Sequence, residues 1–482
     1  MKHNEKKFRM KKIRISYSLA VIGCMLLLHS CGITKKYETP DAEVGTQYRD
    51  TLVTDSTTLA DIPWKEMISD TILQQLIEEG LAHNLDLKVA VENINQAEAT
   101  LQQARLSLLP SLSAEPSVTF TRTSQAALNF GGANVNLKTK TFKAQLASSW
   151  EIDVWGKLRS SKRSALAAFL ETEAAARAVK TQLISDIAVS YYTLLAYDED
   201  LRINKETLAN RKDDQETMKL LKESAVVDGA AVVQSEASRY EIEASIPDIE
   251  LSIREQENAL SILLGRSPGT IERSTLEEQI PYTDLKVGFQ SDLLRNRPDI
   301  QEAEFAFRSA FEDVKMAKAY FYPSLTITAN GGLSSLTIED FFNKSIFYTI
   351  VGGLTQPIFA NGENKARLKT NESLQRHAFY NYRTAWLTAA EEVSNNLYMY
   401  QKAVQKHEAR EKQLTALEKS VDFTESLLEY TSSTNYTDVL TTKQSLLSAQ
   451  VNSISDKLQE LQAVIQLYRA LGGGWNDVLA EE

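Results

Sequence analysis

Between Thr141 and Asp153 apolar and polar positions alternate. Phe142, Ala144, Leu146, Ser148, Trp150 and Ile152 fall on one side, with Lys143, Gln145, Ala147, Ser149, Glu151 and Asp153 on the other. A period of two predicts a strand with one greasy and one wet face. Gly156 closes it, and from Lys157 to Asp228 there is neither proline nor glycine. Ile184, Ile187, Tyr191, Leu194, Asp198, Leu201 and Leu208 then follow a three-four spacing, so the strand passes into one helix reaching about Leu221. Roughly 65 residues at about 1.5 Å each span on the order of 100 Å, several times an ordinary globular helix. Such a length suits a tube or a coiled coil better than a globule.

The preceding chain supplies a partner strand. Residues 32–63 show little periodicity and read as an extended tether. Ile72, Leu76, Leu81, Leu85, Leu87, Val91 and Ile94 predict a helix from about Asp70 to Leu108, stopped by Pro110. Leu112, Ala114, Pro116, Val118 and Phe120 then alternate with Ser113, Glu115, Ser117, Thr119 and Thr121, and a polar loop holding Gly131-Gly132 turns the chain back. Two strands of about ten residues are enough for a membrane-spanning hairpin. Glu115, Lys143, Glu151 and Asp153 lie on its wet side. Beyond the long helix the chain returns from Val233 to Leu263, with Pro247 expected to kink or restart that helix.

The plan then repeats. Ala104 to Leu112 matches Ala317 to Leu325 at a constant offset of 213 positions. A helix is predicted over 298–321, strands near 324–330 and 346–357, a second long helix over 363–431 and a return helix over 435–471. Arg297-Pro298-Asp299 reads as a helix-start scaffold, with proline at the first helical position. Leu447, Val451, Ile454, Leu458, Leu461, Ile465 and Tyr468 form a heptad along the return helix. The organisation read from the chain is a leader (1–30), an N-terminal tether (31–69), a first repeat (70–264), a linker (265–291), a second repeat (292–471) and a C-terminal segment (472–482).

Composition adds the compartment. Lys6, Lys7, Arg9, Lys11, Lys12 and Arg14 precede an apolar run from Tyr17 to Leu28, and Leu28-His29-Ser30-Cys31 closes it like a bacterial lipoprotein cleavage site. Val21-Ile22-Gly23-Cys24 is a rival site, and an ordinary secretory signal is the plainer alternative. Either implies export. Cleavage before Cys31 takes seven of the 53 basic residues and one of the 64 acidic ones, leaving 46 against 63 and a net charge of −17. So acidic a chain argues against a nucleic-acid partner. Cys31 would be the one cysteine left, which precludes an internal disulfide or a thiolate metal cluster. The five histidines include no pair at metal-ligand spacing, and there is no phosphate-binding glycine loop or nucleophile elbow. No catalytic residue, metal or cofactor is expected.

Four strands cannot close a membrane barrel, because lipid does not tolerate open strand edges. The protomer must oligomerise, and three copies would supply twelve strands. Here the motifs converge on a family. The lipobox, Glu151 to Gly156, Leu293 to Glu304, Ala317 to Pro323, Gln356 to Phe359 and Leu467 to Trp475 together resemble the lipoprotein outer-membrane efflux channels of the TolC/NodT class.

The resemblance implies an α+β membrane fold: a trimeric twelve-stranded outer-membrane β-barrel continuous with a periplasmic α-helical coiled-coil barrel, with two repeats per chain. It implies a diacylated Cys31, a periplasmic membrane-fusion adaptor and an inner-membrane pump of the resistance-nodulation-division (RND) type. It sets Asp438 at the first of two aspartate rings of a periplasmic gate, with Thr441 where the second aspartate would stand. The plainer reading of Asp438 is a helix cap. Adaptor docking is placed at the hairpin tips, on Ala225, Val226, Asp228, Gly229, Ser432, Ser433 and Asn435. Trp150 and Trp155 read as interfacial belt residues, with packing at the foot of the barrel as the alternative for Trp155. The function so implied is the exit duct of a tripartite efflux pump for small toxic solutes. A channel for ABC-driven protein or peptide export, and a non-porating periplasmic coiled-coil lipoprotein, stand as alternatives.

Overall fold

The computed structural model describes residues 36–42, 48–49, 57–124, 138–430 and 435–475. Among them the chain runs α1 (Trp64–Met67), α2 (Thr71–His83), α3 (Leu85–Leu106), β1 (Ser111–Arg122), β2 (Lys138–Ile152), α4 (Lys157–Glu223) and α5 (Gly229–Leu263). It continues through α6 (Leu293–Asn296), α7 (Pro298–Ala319), β3 (Ser324–Ser335), β4 (Ile346–Thr355), α8 (Glu363–Tyr430) and α9 (Tyr436–Ala470). The two long helices hold 67 and 68 residues. Among the described residues no helix is long and apolar enough to cross a membrane. The chain divides into two compact units that cut across the repeats.

One unit carries the sheet. Its four strands are antiparallel in the order β1-β2-β3-β4. The register aligns the alternation across all four: Ala114 opposes Leu146, Leu146 opposes Gly331, and Gly331 opposes Tyr348. Leu112, Val118, Phe120, Leu146, Ile346, Tyr348, Ile350 and Leu354 therefore share a face, and all are exposed. The other face carries Glu115 opposite Gln145, Lys143 opposite Ser334, and Asn330 opposite Thr349. There Gln145 donates to Glu115 at 2.7 Å, and Lys143 lies 5.2 Å from the centre of the Phe347 ring. A face this apolar and this uncovered is a surface for lipid. Trp155 packs at the foot of the sheet: it stacks on Tyr322 at 4.9 Å and donates to Pro323 O at 2.7 Å. Trp150 donates to Leu108 O at 3.0 Å and stays 37% exposed.

The other unit holds the apolar core. Leu59, Leu73, Ile77, Ile187, Tyr191, Leu194, Leu260 and Leu467 are fully buried there. From the α9 heptad, Leu447, Ile454, Leu461, Ile465 and Tyr468 are buried, while Val451 and Leu458 are partly so. The linker is tied down by polar contacts. Asp70, the N-cap of α2, accepts from Tyr191 and Gln279, each at 2.8 Å, and from Ser274. Burial opposes the Asp70 charge, but these hydrogen bonds outweigh it and hold the carboxyl below its usual range. Arg273 bridges Asp198 and Glu257.

Two elements depart from the pattern. The helix expected from Asp70 to Leu108 is broken at Asn84, which ends α2 and caps α3: its amide oxygen accepts from Leu87 N–H at 2.9 Å and its amide nitrogen donates to Leu263 O at 2.9 Å. Asparagine offers the backbone a local partner that competes with helix continuation. Of the two outcomes expected at Pro247, a kink or a restart, the restart does not occur, since α5 runs through it.

Candidate functional site

Three features arise from the residues upward: the sheet faces, the hairpin tips, and a junction built twice near the helix starts.

At the first tip α4 ends at Glu223, Ala225 takes φ 57°, and Val226 is 67% exposed. Asp228 caps α5 by accepting from Ala231 N–H at 3.0 Å, and Gly229 is the first helical residue. At the second tip Asn435 caps α9. Asp438 N–H donates to Asn435 Oδ1 at 3.1 Å, and Asn435 N–H donates to Asp438 Oδ2 at 3.1 Å, a reciprocal capping box. Asp438 is exposed, so this cap leaves its carboxylate in reach of water. Ser432, Ser433 and Cys31 lie outside the described residues.

Behind the tips sits an ion-pair group that the sequence pattern does not disclose. Lys443 of α9 bonds Asp214 of α4 at 2.9 Å and Glu425 of α8 at 2.7 Å. Burial works against its ammonium, yet the two carboxylates outweigh it and hold Lys443 above its ordinary value. Arg211, only 1% exposed, lies 3.6 Å from Asp214.

The junction appears once in each repeat. In the first, Asn84 holds Leu263 O, and Gly265 at φ +71° lies where a Cβ would come within 2.3 Å of His83 O. In the second, Arg297 donates to Ala470 O at 2.8 Å, and Gly472 at φ +88° lies where a Cβ would come within 2.3 Å of Asn296 O. Glycine is required at both by the left-handed backbone and the close carbonyl. Arg297 also bonds Asp299 and, at 2.7 Å, Glu392, while Trp475 donates to Asn296 O at 2.6 Å. Arg297-Pro298-Asp299 and the closing Leu471-Gly-Gly-Gly-Trp475 are thus two halves of one buried clamp.

The family model for outer membrane efflux proteins matches residues 76–266 and 290–473, most of the chain. The chain belongs to the outer membrane efflux protein family. This efflux protein is 29% identical over 469 residues to the probable efflux pump outer membrane protein TtgC of Pseudomonas putida, covering 95% of each chain. It is 28% identical over 476 residues to the probable outer membrane lipoprotein SilC of Salmonella typhimurium, covering 97% of this chain and 99% of that one. Among solved structures, the open state of the MtrE outer membrane channel of Neisseria gonorrhoeae superimposes with a TM-score of 0.82 at 26% identity, covering 92% of this chain and 99% of that one. The efflux protein is therefore an outer-membrane channel component and not an enzyme. Its exposed apolar strand face has the chemistry that location demands.

Proposed function

We propose that the protein is the exit duct of a tripartite efflux pump, a homotrimer through which small toxic solutes pass passively from a periplasmic membrane-fusion adaptor and an inner-membrane RND-type pump to the exterior. The observation that carries this reading is the four-stranded sheet, with one apolar face, one wet face and, among the described residues, an unpaired outer edge on β1 and on β4. A sheet with free edges is not viable in lipid, and pairing β4 of one copy with β1 of the next closes a twelve-stranded barrel lined by the wet face. Diacylated Cys31 supplies a second hold on the outer membrane; a relative named as a lipoprotein supports this. The tips carrying Ala225, Val226, Asp228, Gly229, Ser432, Ser433 and Asn435 are the adaptor's docking points. Three copies of Asp438 at the second tip form a ring that favours cations, while the capping box fixes where each carboxylate sits.

The test is native mass spectrometry of the detergent-purified protein followed by reversal-potential measurement in planar bilayers. Three chains per particle are expected, with cation preference falling toward equality in Asp438→Ala. A monomeric particle would overturn the duct, and unchanged selectivity in an assembled Asp438→Ala channel would remove the ring.

A further inference from the structure

We propose that the first-repeat junction is a binding site for a small guanidinium-bearing cation. The internal repeat provides the comparison. Asn84 and Asp86 correspond to Arg297 and Asp299 at an offset of 213, Asp186 corresponds to Glu392 at 206, and Leu263 corresponds to Ala470 at 207. In the second repeat these positions seat a guanidinium. Arg297, with 5% of its side chain exposed, reaches Asp299 at 2.5 Å, Glu392 at 2.7 Å and Ala470 O at 2.8 Å.

The first repeat keeps the two carboxylates, Asp86 and Asp186, and has Asn84 where the guanidinium stands, while Glu302 of the second repeat adds a third carboxylate. Asn84 spends its amide on Leu263 O and Leu87 N–H. Asp186 accepts from Gln182 at 2.6 Å, and among the described residues neither Asp86, Asp186 nor Glu302 forms an ion pair. These three carboxylates line a cavity of about 540 Å³. Thr181 lines it too; that residue is 5% exposed and its hydroxyl has no hydrogen-bond partner. Arg297 and Arg469 also stand on the wall; the first is engaged with Asp299 and Glu392 and the second with Glu392 and Gln182, while the Arg469 charge offsets only part of the burial cost at Asp186.

Burial pushes the carboxyls of Asp186 and Glu302 above their usual range, the second helped by the nearby Asp299 charge. A bound cation would relieve that cost. A planar fork of N–H donors matches two carboxylates and a hydroxyl better than a point charge does.

The site is independent of the duct reading and can fail alone. Titration of the full-length protein in detergent with methylguanidinium, followed by calorimetry, should show saturable binding at one site per chain. Binding should weaken at least tenfold in Asp186→Asn. Asn84→Arg, which builds the second repeat's guanidinium into the first at the cost of the α3 cap, should bind none. Absence of saturable binding to wild type, or undiminished binding to folded Asp186→Asn or Asn84→Arg, overturns the proposal.

Discussion

Arg297→Ala is expected to destabilise the helical unit by about 3–5 kcal/mol, the range for removing one partner of a buried ion pair. The substitution strands Asp299 and the Ala470 carbonyl and leaves Glu392 only its 3.3 Å contact with Arg469, because one guanidinium serves all three. The lower end of that range applies, since the Asp299 and Glu392 side chains are 42% and 27% exposed and water can take over part of their solvation. The effect reaches past the pair. Gly472 is held against Asn296 O, and Trp475 donates to the same carbonyl, so the end of α9 loses its seat when α6 and α7 shift. Thermal unfolding followed by helix circular dichroism checks this. Arg297→Lys should recover only part of the loss, because an ammonium lacks the planar fork. A wild-type melting curve for Arg297→Ala would show that the clamp contributes nothing.

The second large effect separates the two sheet faces with neighbouring residues. Ile350→Arg places a charge at the middle of β4 on the apolar face and is expected to cost about 2–4 kcal/mol, the range for a lipid-facing arginine at the membrane midplane. Thr349→Arg, one position away, lands on the wet face with Asn330 opposite it and should assemble normally. The readout is the fraction of protein recovered as assembled particles from outer membranes. Equal recovery of the two variants would mean that Ile350, 70% exposed in the chain, does not face lipid.

Much of this architecture is legible in the sequence because two periods dominate it. The alternation from Phe142 to Ile152 survives as β2, and the proline- and glycine-free run from Lys157 survives as α4 ending at Glu223. The offset of 213 between Ala104 and Ala317 also places Asn84 against Arg297, although only the paired hydrogen bonds to Leu263 O and Ala470 O show that the two are the same joint. Features decided by one side chain or one tertiary contact were not legible. The break at Asn84 falls inside an apolar period that continues on both sides of it, and only the cap geometry reveals it. Pro247 is accommodated because the apolar face of α5 continues past it, with Ile242 and Ile253 both buried. β3 extends to Ser335, beyond the expected end near 330, because Gly331 and Gly332 weaken the strand signal while their backbone still pairs with Phe347 and Tyr348.

The candidate site divides in the same way. Asp438 stands in a capping box, the plainer reading of its spacing from Asn435, and that cap is compatible with a carboxylate ring in an assembled trimer. The group of Asp214, Glu425 and Lys443 joins three helices that are up to 229 positions apart in sequence, and no periodicity marks it.

Single-channel recording of the full-length protein in planar bilayers, in parallel with a variant lacking both hairpin tips, tests the duct most directly. Discrete current steps are expected, several-fold larger once the tips are removed. A tip-deleted protein that is demonstrably assembled and inserted yet passes no current would contradict the account.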